Sequence, residues 1–178
     1  GTAFTVIGGS KYYTDGLVHC RLIKRLVGSM FGYRLPVTRP SAAIQRAYKE
    51  GRIEIEDWTV LTLAQRLIAG AMDLGCMVTK SIQGSSMAQE NTGNFREINE
   101  PFGHGGKLAL VKALNPDMAI VHGWAADSKG NVILGLPNFT GQDIWGARAS
   151  REGVVATVEK IVSTDFIREH SCLVTIPS

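Results

Sequence analysis

The sequence lacks the features of several large protein classes. Its 178 residues contain no run near the ~18 consecutive apolar residues that a membrane-spanning helix needs, so we predict no such helix. The three cysteines, Cys20, Cys76 and Cys172, are an odd number without a CxxC pair. That pattern excludes a disulfide framework or a zinc ribbon and favours reduced thiols in a cytoplasm. Aromatic residues make up only 7%, and the basic residues are scattered, which argues against a nucleic-acid partner.

Specific catalytic and cofactor motifs are missing as well. There is no HExxH and no Cys/His cluster, and the four histidines are dispersed, so we expect no metal site and no tightly bound cofactor. The segment 103–107 resembles the end of a P-loop but lacks its spacing and its hydroxyl residue. No GxGxxG follows the first strand, and no GxSxG elbow is present. A nucleoside triphosphatase, a dinucleotide enzyme and a serine hydrolase are therefore disfavoured.

The overall amino-acid composition indicates a globular chain. Hydrophobic residues make up 44%, the formal net charge is +3, and there are 20 glycines. This chain is too apolar for a disordered tail, and its glycines are typical of the loops of an α/β protein. The charge is uneven, because residues 11–52 carry nine Lys/Arg against two acids. That basic quarter is either a solvated face or a surface for an anionic ligand or partner.

Strand-like and helix-like patterns alternate along the chain. The clearest helix begins near Thr59, where apolar residues recur at three- and four-residue steps, and Gly75 is its predicted end. Ser41 is the predicted cap of another helix, which runs to Glu50. This alternation predicts an α/β fold with an open, mostly parallel sheet, helices on both faces and antiparallel additions. Predicted strands lie at 4–7, 25–27, 52–56, 77–79, 107–111, 118–122, 132–134, 154–158 and 172–176. Predicted helices lie at 16–22, 41–50, 59–74, 141–150 and 164–170.

The candidate binding residues lie where strands end. In an open parallel sheet, ligands bind in the crevice outside the carboxyl ends of the strands. Three glycine-containing loops have that position: 8–10, 28–32 and 83–86. Ser85 is a hydrogen-bond donor for a ligand there, and the backbone of Gly84 is able to approach one closely.

Glu90 and His122 each have a structural and a functional interpretation. Glu90 lies in a predicted polar loop at 83–94, either as a solvated carboxylate or as a nucleophile that faces the crevice. His122 lies at a predicted strand end beside Gly123, either as a hydrogen-bonded histidine or as a pocket residue. Cys20 and Cys76 lie on or just after predicted helices, where a buried, inert thiol is expected. The sequence shows no convincing nucleophile. This is expected if the chain forms only half of a shared active site.

Several segments carry a resemblance to a known family. They are 51–58, 62–67, 69–71, 95–102, 116–122, 125–132 and 159–162. Together they resemble the A (α) subunit of class I coenzyme A transferases, most nearly the glutaconate CoA-transferase type. The resemblance covers nearly the whole chain in order, although none of these segments is decisive alone.

The resemblance implies a function and a partner. Family members move coenzyme A from an acyl-CoA to a carboxylic acid, through a glutamyl-CoA thioester on a B subunit or B half. It therefore implies coenzyme A as a substrate, a hetero-oligomer with a B subunit, and no catalytic residue in this chain. It also implies that Gly8, Gly9, Ser29, Gln83, Gly84 and Ser85 line the substrate or CoA site.

The resemblance also leaves questions open. The A-type subunits of the family carry a first strand and a glycine-rich turn before the strand that opens this chain, and glutaconate-type subunits continue further. We therefore expect residues 1–178 to be one A-type domain that is incomplete at both ends. A CoA-thioester hydrolase of the same family remains an alternative, with Asp57 as the only acid near the start of the Thr59 helix. The second alternative is a non-catalytic ligand-sensing domain of the same fold.

Overall fold

Helices and strands alternate in the computed structural model, which describes residues 4–8, 12–33, 38–103, 105–135, 141–173 and 176–178. The helices are α1 (Tyr12–His19), α2 (Ala42–Lys49), α3 (Val60–Ala71), α4 (Ser86–Glu90), α5 (Gln142–Ala149) and α6 (Thr164–Glu169), with a 3₁₀ turn at Ser171–Leu173. The strands are β1 (Phe4–Ile7), β2 (Ile23–Gly28), β3 (Gly32–Tyr33), β4 (Arg39–Pro40), β5 (Glu54–Asp57), β6 (Cys76–Thr79), β7 (Phe95–Asn99), β8 (Lys107–Lys112), β9 (Met118–Ala126), β10 (Val132–Leu134) and β11 (Gly153–Ile161). The predicted α/β class, with parallel and antiparallel pairing, is confirmed. No helix in the described ranges is long and apolar enough to cross a membrane.

The first of two compact units, residues 1–63 and 78–111, is built on a parallel sheet. This sheet has the strand order β1-β2-β5, and both of its pairs are parallel. One face packs against α1 and α2 through a buried core that includes Val18, Leu26 and Ile44. Helix α2 begins where the sequence predicts, because Ser41 Oγ accepts a hydrogen bond from the Ile44 N–H at 3.2 Å.

The opposite face of this sheet buries a carboxylate. Glu56 alternates with the core residue Ile55 along β5, so its side chain points away from α1 and α2. Its oxygens accept hydrogen bonds from Trp58 Nε1 at 2.7 Å and from Asn94 Nδ2 at 3.3 Å, and it forms an ion pair with Arg25. A buried charge is tolerated only when it is paired in this way.

The second unit, residues 64–77 and 112–178, has its own sheet with the order β10-β9-β11. Strands β9 and β11 are parallel, and β9 and β10 form the predicted hairpin around the turn at 127–131. A Cβ atom on Gly123 would lie 2.8 Å from Val132 Cγ1 and 2.9 Å from the Ile133 carbonyl oxygen. The two strands of the hairpin therefore approach closely only because residue 123 is glycine.

The hairpin turn is closed by one carboxylate. Asp127 Oδ1 accepts hydrogen bonds from the backbone N–H of Lys129 at 2.9 Å and of Asn131 at 3.0 Å. Desolvation of the carboxylate opposes its ionisation, but hydrogen bonds from Asn131, Lys129 and Thr164 outweigh it and lower the pKa of Asp127. A side chain that bonds the backbone two residues later is the usual way in which aspartate fixes a turn.

Some predicted elements differ from the structure. The helix near Thr59 ends at Ala71, so Gly75 is not its end. The predicted loop 83–94 contains α4, whose five residues are too few to show a helical period in the sequence. Strand β7 is not among the predicted strands. Of the predicted strand 172–176, the first two residues belong to a 3₁₀ turn and Ile176 forms an isolated bridge with Val132, while 174 and 175 lie outside the described residues.

Candidate functional site

The carboxyl ends of β1 and β2 meet through two glycines. The Gly8 N–H donates to the Val27 carbonyl at 2.9 Å, and Gly8 has a φ of +138°, which favours glycine. A Cβ atom on Gly28 would lie 2.7 Å from the Gly8 carbonyl oxygen and 2.9 Å from the Phe31 ring. The close approach of these two strand ends therefore depends on glycine at position 28.

The end of β5 joins the same edge of the sheet. The Trp58 N–H donates to the Gly28 carbonyl at 2.8 Å, so Asp57 lies next to the end of β2. Ser29 follows Gly28 directly and is partly exposed. Three parallel strands thus end side by side, with a backbone rich in glycine and side chains of serine and aspartate between them.

The segment after β6 is held against the end of β5 by polar side chains. Asn91, which is buried, donates from Nδ2 to the Asp57 carbonyl at 2.8 Å and to the Met87 carbonyl at 2.9 Å. Thr59 Oγ1 lies 3.4 Å from Ser81 Oγ. These contacts bring the predicted loop 83–86 to the same edge of the sheet as Gly8 and Ser29.

The loop between β6 and α4 has an unusual backbone. Ile82 has a φ of +62° and Gly84 a φ of +70°. A β-branched residue with positive φ is a genuine outlier, and such strain clusters at functional sites. The conformation is held because the Ser85 N–H and the Ser85 Oγ both donate to the Ile82 carbonyl, at 3.1 Å and 2.5 Å.

Ser85 and Gln83 already have partners within the chain. Ser85 Oγ accepts from the Ala88 N–H at 3.3 Å and is the N-cap of α4. Gln83 Nε2 donates to the Lys107 carbonyl at 3.3 Å. A structural role therefore accounts for both side chains, whereas Gly84 is exposed and has nothing within 4 Å of the place where a Cβ would be.

Asp57 is the group at this edge whose ionisation is altered. Burial raises the pKa of the Asp57 carboxyl, and the nearby negative charge of Glu90 raises it further, against the lowering effect of the Trp58 N–H. Glu90 itself is exposed at the end of α4. A carboxyl whose pKa is raised, at the edge of the sheet where the strands end, makes Asp57 a candidate for substrate contact.

The predicted site residues divide between the two units. Gly8, Ser29, Gln83, Gly84, Ser85 and Glu90 all lie in the first unit, and Gly9 falls outside the described residues. His122 lies in the second unit, where it is exposed on β9 and its Nδ1 is 2.9 Å from Thr157 Oγ1. The hydrogen-bonded interpretation of His122 therefore accounts for its observed contacts.

Two cavities lie away from the strand-end loops. In the second unit, a cavity of about 550 Å³ is lined by His122, Trp124 and Glu159, among others. In the first unit, a cavity of about 290 Å³ is lined by Thr5, Lys24, Arg25 and Glu54. Neither includes Gly8, Ser29 or the loop 83–86.

Sequence reasoning misses Thr59, Ser81 and Asn91 as site residues and considers Asp57 only under the hydrolase alternative. A buried asparagine in a polar segment is a weak signal, and its partner, the Asp57 carbonyl, is 34 residues away. The expectation of buried thiols at Cys20 and Cys76 is wrong, because all three cysteines are exposed. In the described ranges, no three His, Cys, Asp or Glu residues are placed to hold a metal ion.

Comparison with known proteins identifies the family. The model of the coenzyme A transferase family matches residues 7–178. The chain belongs to the coenzyme A transferase family, as its resemblance predicts. The family's substrate is coenzyme A, and the A-type subunit is the component that this chain matches.

Two curated relatives are both A-type subunits. The chain is 35% identical over 121 residues to the A-type subunit of 3-oxoadipate CoA-transferase from Pseudomonas knackmussii, covering 68% of this chain and 41% of that protein. It is 26% identical over 155 residues to the A-type subunit of glutaconate CoA-transferase from Acidaminococcus fermentans, covering 79% and 48%. The chain thus spans less than half the length of these relatives.

Solved structures confirm the fold. Glutaconate coenzyme A-transferase from Acidaminococcus fermentans superposes with a TM-score of 0.83 at 23% identity, covering 99% of this chain and 59% of that chain. The decarboxylase AibA/AibB superposes with a TM-score of 0.77 at 26% identity, covering 90% and 59%.

Proposed function

We propose that this chain is the A-type part of a CoA-transferase that moves coenzyme A from an acyl-CoA to a carboxylic acid and that requires a B subunit in a hetero-oligomer. The observation that most supports this proposal is that three parallel strands end side by side, at Gly8, Ser29 and Asp57, in a chain of the coenzyme A transferase family. Exposed free thiols on all three cysteines support a cytoplasmic location. The proposal includes no tightly bound cofactor, no membrane and no nucleic acid.

The proposed reaction uses a glutamate of the partner. Its carboxylate oxygen attacks the thioester carbonyl of the acyl-CoA, and the tetrahedral intermediate expels the CoA thiolate to leave an acyl-glutamyl anhydride. The thiolate then attacks the glutamyl carbonyl, which releases the first carboxylate and leaves a glutamyl-CoA thioester. The acceptor carboxylate reverses these steps, so no proton or electron is consumed overall.

This chain would supply the wall against which the tetrahedral oxyanion forms. Backbone N–H donors are effective there because they are fixed before the reaction. Gly8, Ser29 and Gly84 are the proposed lining residues, since small side chains leave the backbone accessible. Gln83 and Ser85 would line the site with backbone atoms, because their side chains already form hydrogen bonds within the chain.

The test is a CoA-transfer assay with the full-length polypeptide and its B subunit. We expect formation of a new acyl-CoA from a free carboxylic acid, parallel lines in the initial-rate plots, and a CoA adduct on the partner detected by mass spectrometry. Hydrolysis without transfer would favour the hydrolase alternative. Binding without turnover would favour the ligand-sensing domain.

Glu90→Gln tests whether the nucleophile lies in this chain. Under the proposal, the variant with its partner keeps most of its activity, because Glu90 is an exposed carboxylate that only adjoins the site. Loss of the CoA adduct in this variant, with the complex intact by size-exclusion chromatography, would make Glu90 the nucleophile instead.

A further inference from the structure

The backbone N–H of Ser29 lies just beyond the point where two parallel strands stop pairing. Ile7 is the last residue of β1 and pairs with Val27 on β2. The Gly8 N–H still donates to the Val27 carbonyl at 2.9 Å, as a continuing ladder requires. The next hydrogen bond of such a ladder would run from the Ser29 N–H to the Gly8 carbonyl. Among the described residues, no hydrogen bond uses the Ser29 N–H.

Two glycines explain why the ladder ends there. Gly8 has a φ of +138°, which turns the chain out of the extended conformation of the strand. Its carbonyl oxygen lies 2.7 Å from the place where a Cβ of Gly28 would be. Because Cβ atoms point out of the plane of a sheet, this carbonyl lies on one face of the sheet and not in the line of the ladder. The Ser29 N–H is therefore left without the acceptor that a continuing strand would provide.

The direction of this N–H is set by the third strand of the sheet. The Gly28 carbonyl accepts a hydrogen bond from the Trp58 N–H at 2.8 Å, and β2 lies between β1 and β5. In a planar trans peptide, the carbonyl of one residue and the N–H of the next point in opposite directions. Since the Gly28 carbonyl points towards β5, the Ser29 N–H points towards the side of β1, beyond the end of that strand. Ser29 is partly exposed, so a ligand can reach this side.

Trp58 is itself held in place. Its side chain is fully buried, and its Nε1 donates to Glu56 Oε1 at 2.7 Å. The same carboxylate forms an ion pair with Arg25 on β2. The residue that holds the Gly28 carbonyl is therefore tied to both strands, and the peptide between residues 28 and 29 is oriented before any substrate binds. Donors that are fixed in advance are the ones that stabilise charge developing in a transition state.

We propose that the Ser29 N–H donates to the oxyanion that forms from the thioester carbonyl of the acyl-CoA, and that Trp58 is the positioning residue that orients this donor. The inference deepens the proposed function and rests on it. When the partner's carboxylate adds to the carbonyl carbon, the π electrons of the C=O bond move to the oxygen, which accepts from this N–H. The C–S bond then breaks and the carbonyl re-forms. An N–H without an internal acceptor, at the carboxyl ends of parallel strands, supports a ligand at this place.

The experiment replaces single backbone N–H groups by ester oxygens. The α-hydroxy acid analogue of Ser29 or of Trp58 is introduced by nonsense suppression into the full-length polypeptide, which is then assembled with the B subunit. The ester at position 29 should slow formation of the CoA adduct on the partner about 100-fold in a single turnover at saturating acyl-CoA. The half-saturating concentration should stay within about twofold, because bound substrate carries no oxyanion.

The ester at position 58 isolates the positioning effect. It keeps the Ser29 N–H but releases the Gly28 carbonyl, so we expect the single-turnover rate to fall by roughly 10-fold. The ester at position 29 also weakens the Gly28 carbonyl as an acceptor, so the difference between the two variants measures the donor itself. If an ester variant folds poorly, Trp58→Phe, which keeps the backbone N–H and loses the bond to Glu56, should still slow this step by roughly 5-fold.

An ester at Leu74 is the matched control, because the Leu74 N–H donates to the Ala69 carbonyl at 2.9 Å in the second unit. It also removes one backbone hydrogen bond, and it should leave the rate within about twofold. Urea unfolding gives the folded fraction to which each rate is referred. An ester at position 29 that slows the step no more than the ester at 58 or 74, or that changes only the half-saturating concentration, would overturn the assignment. So would a full rate in Trp58→Phe.

The unmodified complex separates this inference from the proposed function. If the unmodified complex forms no new acyl-CoA from a free carboxylic acid, the proposed function is wrong and the inference fails with it. If the unmodified complex transfers CoA but the ester at position 29 keeps the full rate, only the assignment of the donor is wrong.

Discussion

The sheets β1-β2-β5 and β10-β9-β11 differ in the polarity of the face that lies opposite their helices. In the first unit, the face opposite α1 and α2 is polar, and Glu56 is buried there with Arg25, Trp58 and Asn94. In the second unit, the face opposite α5 is apolar and largely exposed. The first arrangement positions polar groups at the strand ends, where ligands bind. The second face carries exposed large apolar side chains such as Ile120, and its polar pair His122–Thr157 is bonded within the sheet.

Gly28 and Gly123, which each lie at a close approach between strands, test this contrast most strongly. Gly28→Ala forces a Cβ to within 2.7 Å of the Gly8 carbonyl, and Gly123→Ala forces one to within 2.8 Å of Val132. Both should destabilise the protein by about 1–3 kcal/mol. Only Gly28→Ala should also reduce kcat/KM of the complex, by roughly 100-fold, because it displaces the strand ends that form the proposed site.

Urea unfolding and the transfer assay, measured on the same samples, separate these effects. Gly16→Ala is the control, because nothing lies within 4 Å of a Cβ at this helical position. It should leave the activity unchanged and stabilise α1 by up to ~1 kcal/mol. Equal losses of kcat/KM in Gly28→Ala and Gly123→Ala would remove the functional distinction between the units.

Glu56→Gln tests the polar face of the first unit. The variant removes a buried charge from its ion pair with Arg25, which is itself partly exposed, so we expect a loss of about 2 kcal/mol in the free energy of unfolding. Glu54→Gln, on the same strand but exposed, should change it by less than ~0.5 kcal/mol. If chemical denaturation gave the two variants the same stability, the buried pair would have no special role.

Asn91→Ala tests the connection between α4 and the end of β5. It removes hydrogen bonds to the Asp57 and Met87 carbonyls, which together contribute about 1–2 kcal/mol. Thr92→Ala is the exposed neighbouring control. We expect faster amide hydrogen exchange in α4 for Asn91→Ala alone. Unchanged exchange there would show that other contacts hold this segment.

Ser85→Ala distinguishes a helix cap from a ligand contact. Loss of the cap should cost about 1 kcal/mol, and Ser85→Asn should restore most of it, because asparagine is an equally good N-cap. Activity should follow stability across the two variants. An inactive but fully stable Ser85→Asn enzyme would instead assign the hydroxyl to substrate binding.

Asp57→Asn should produce the smallest effect, and its sign depends on pH. Because the folded pKa of Asp57 is raised above the ordinary value of 3.8, ionisation of this group favours the unfolded state. The loss of stability from ionising Asp57 is absent below the pKa that the group has in the unfolded chain. It develops as the pH rises through the pKa in the folded chain and is complete above that value. Asp57→Asn should therefore raise Tm by about 1–3 °C at pH 7 and not at pH 3.

Glu90→Gln should raise Tm in the same direction, since it removes the charge that adds to the shift. The double variant should gain less than the sum of the two single variants, because the groups interact. Additive gains, or a gain that persists at pH 3, would contradict the electrostatic coupling.

Local signals make parts of this structure predictable. Ser41 lies just before a helical pattern, and its cap forms with a residue only three positions away. Gly8 directly follows the apolar residues of β1, and Gly28 is the last residue of β2, so the sequence predicts strand-end loops there. The contacts that assemble the site are not local: Asn91 reaches Asp57 across 34 residues, and Arg25 reaches Glu56 across 31. No periodicity encodes such pairs.

The exposure of Cys20, Cys76 and Cys172 has a practical consequence for work on this protein. Accessible thiols oxidise in air and can join molecules through disulfides. Covalent dimers formed during storage would imitate a biological assembly in gel filtration and light scattering. Purification under a reducing agent, with a non-reducing gel run beside each sizing experiment, separates handling artefacts from native quaternary structure.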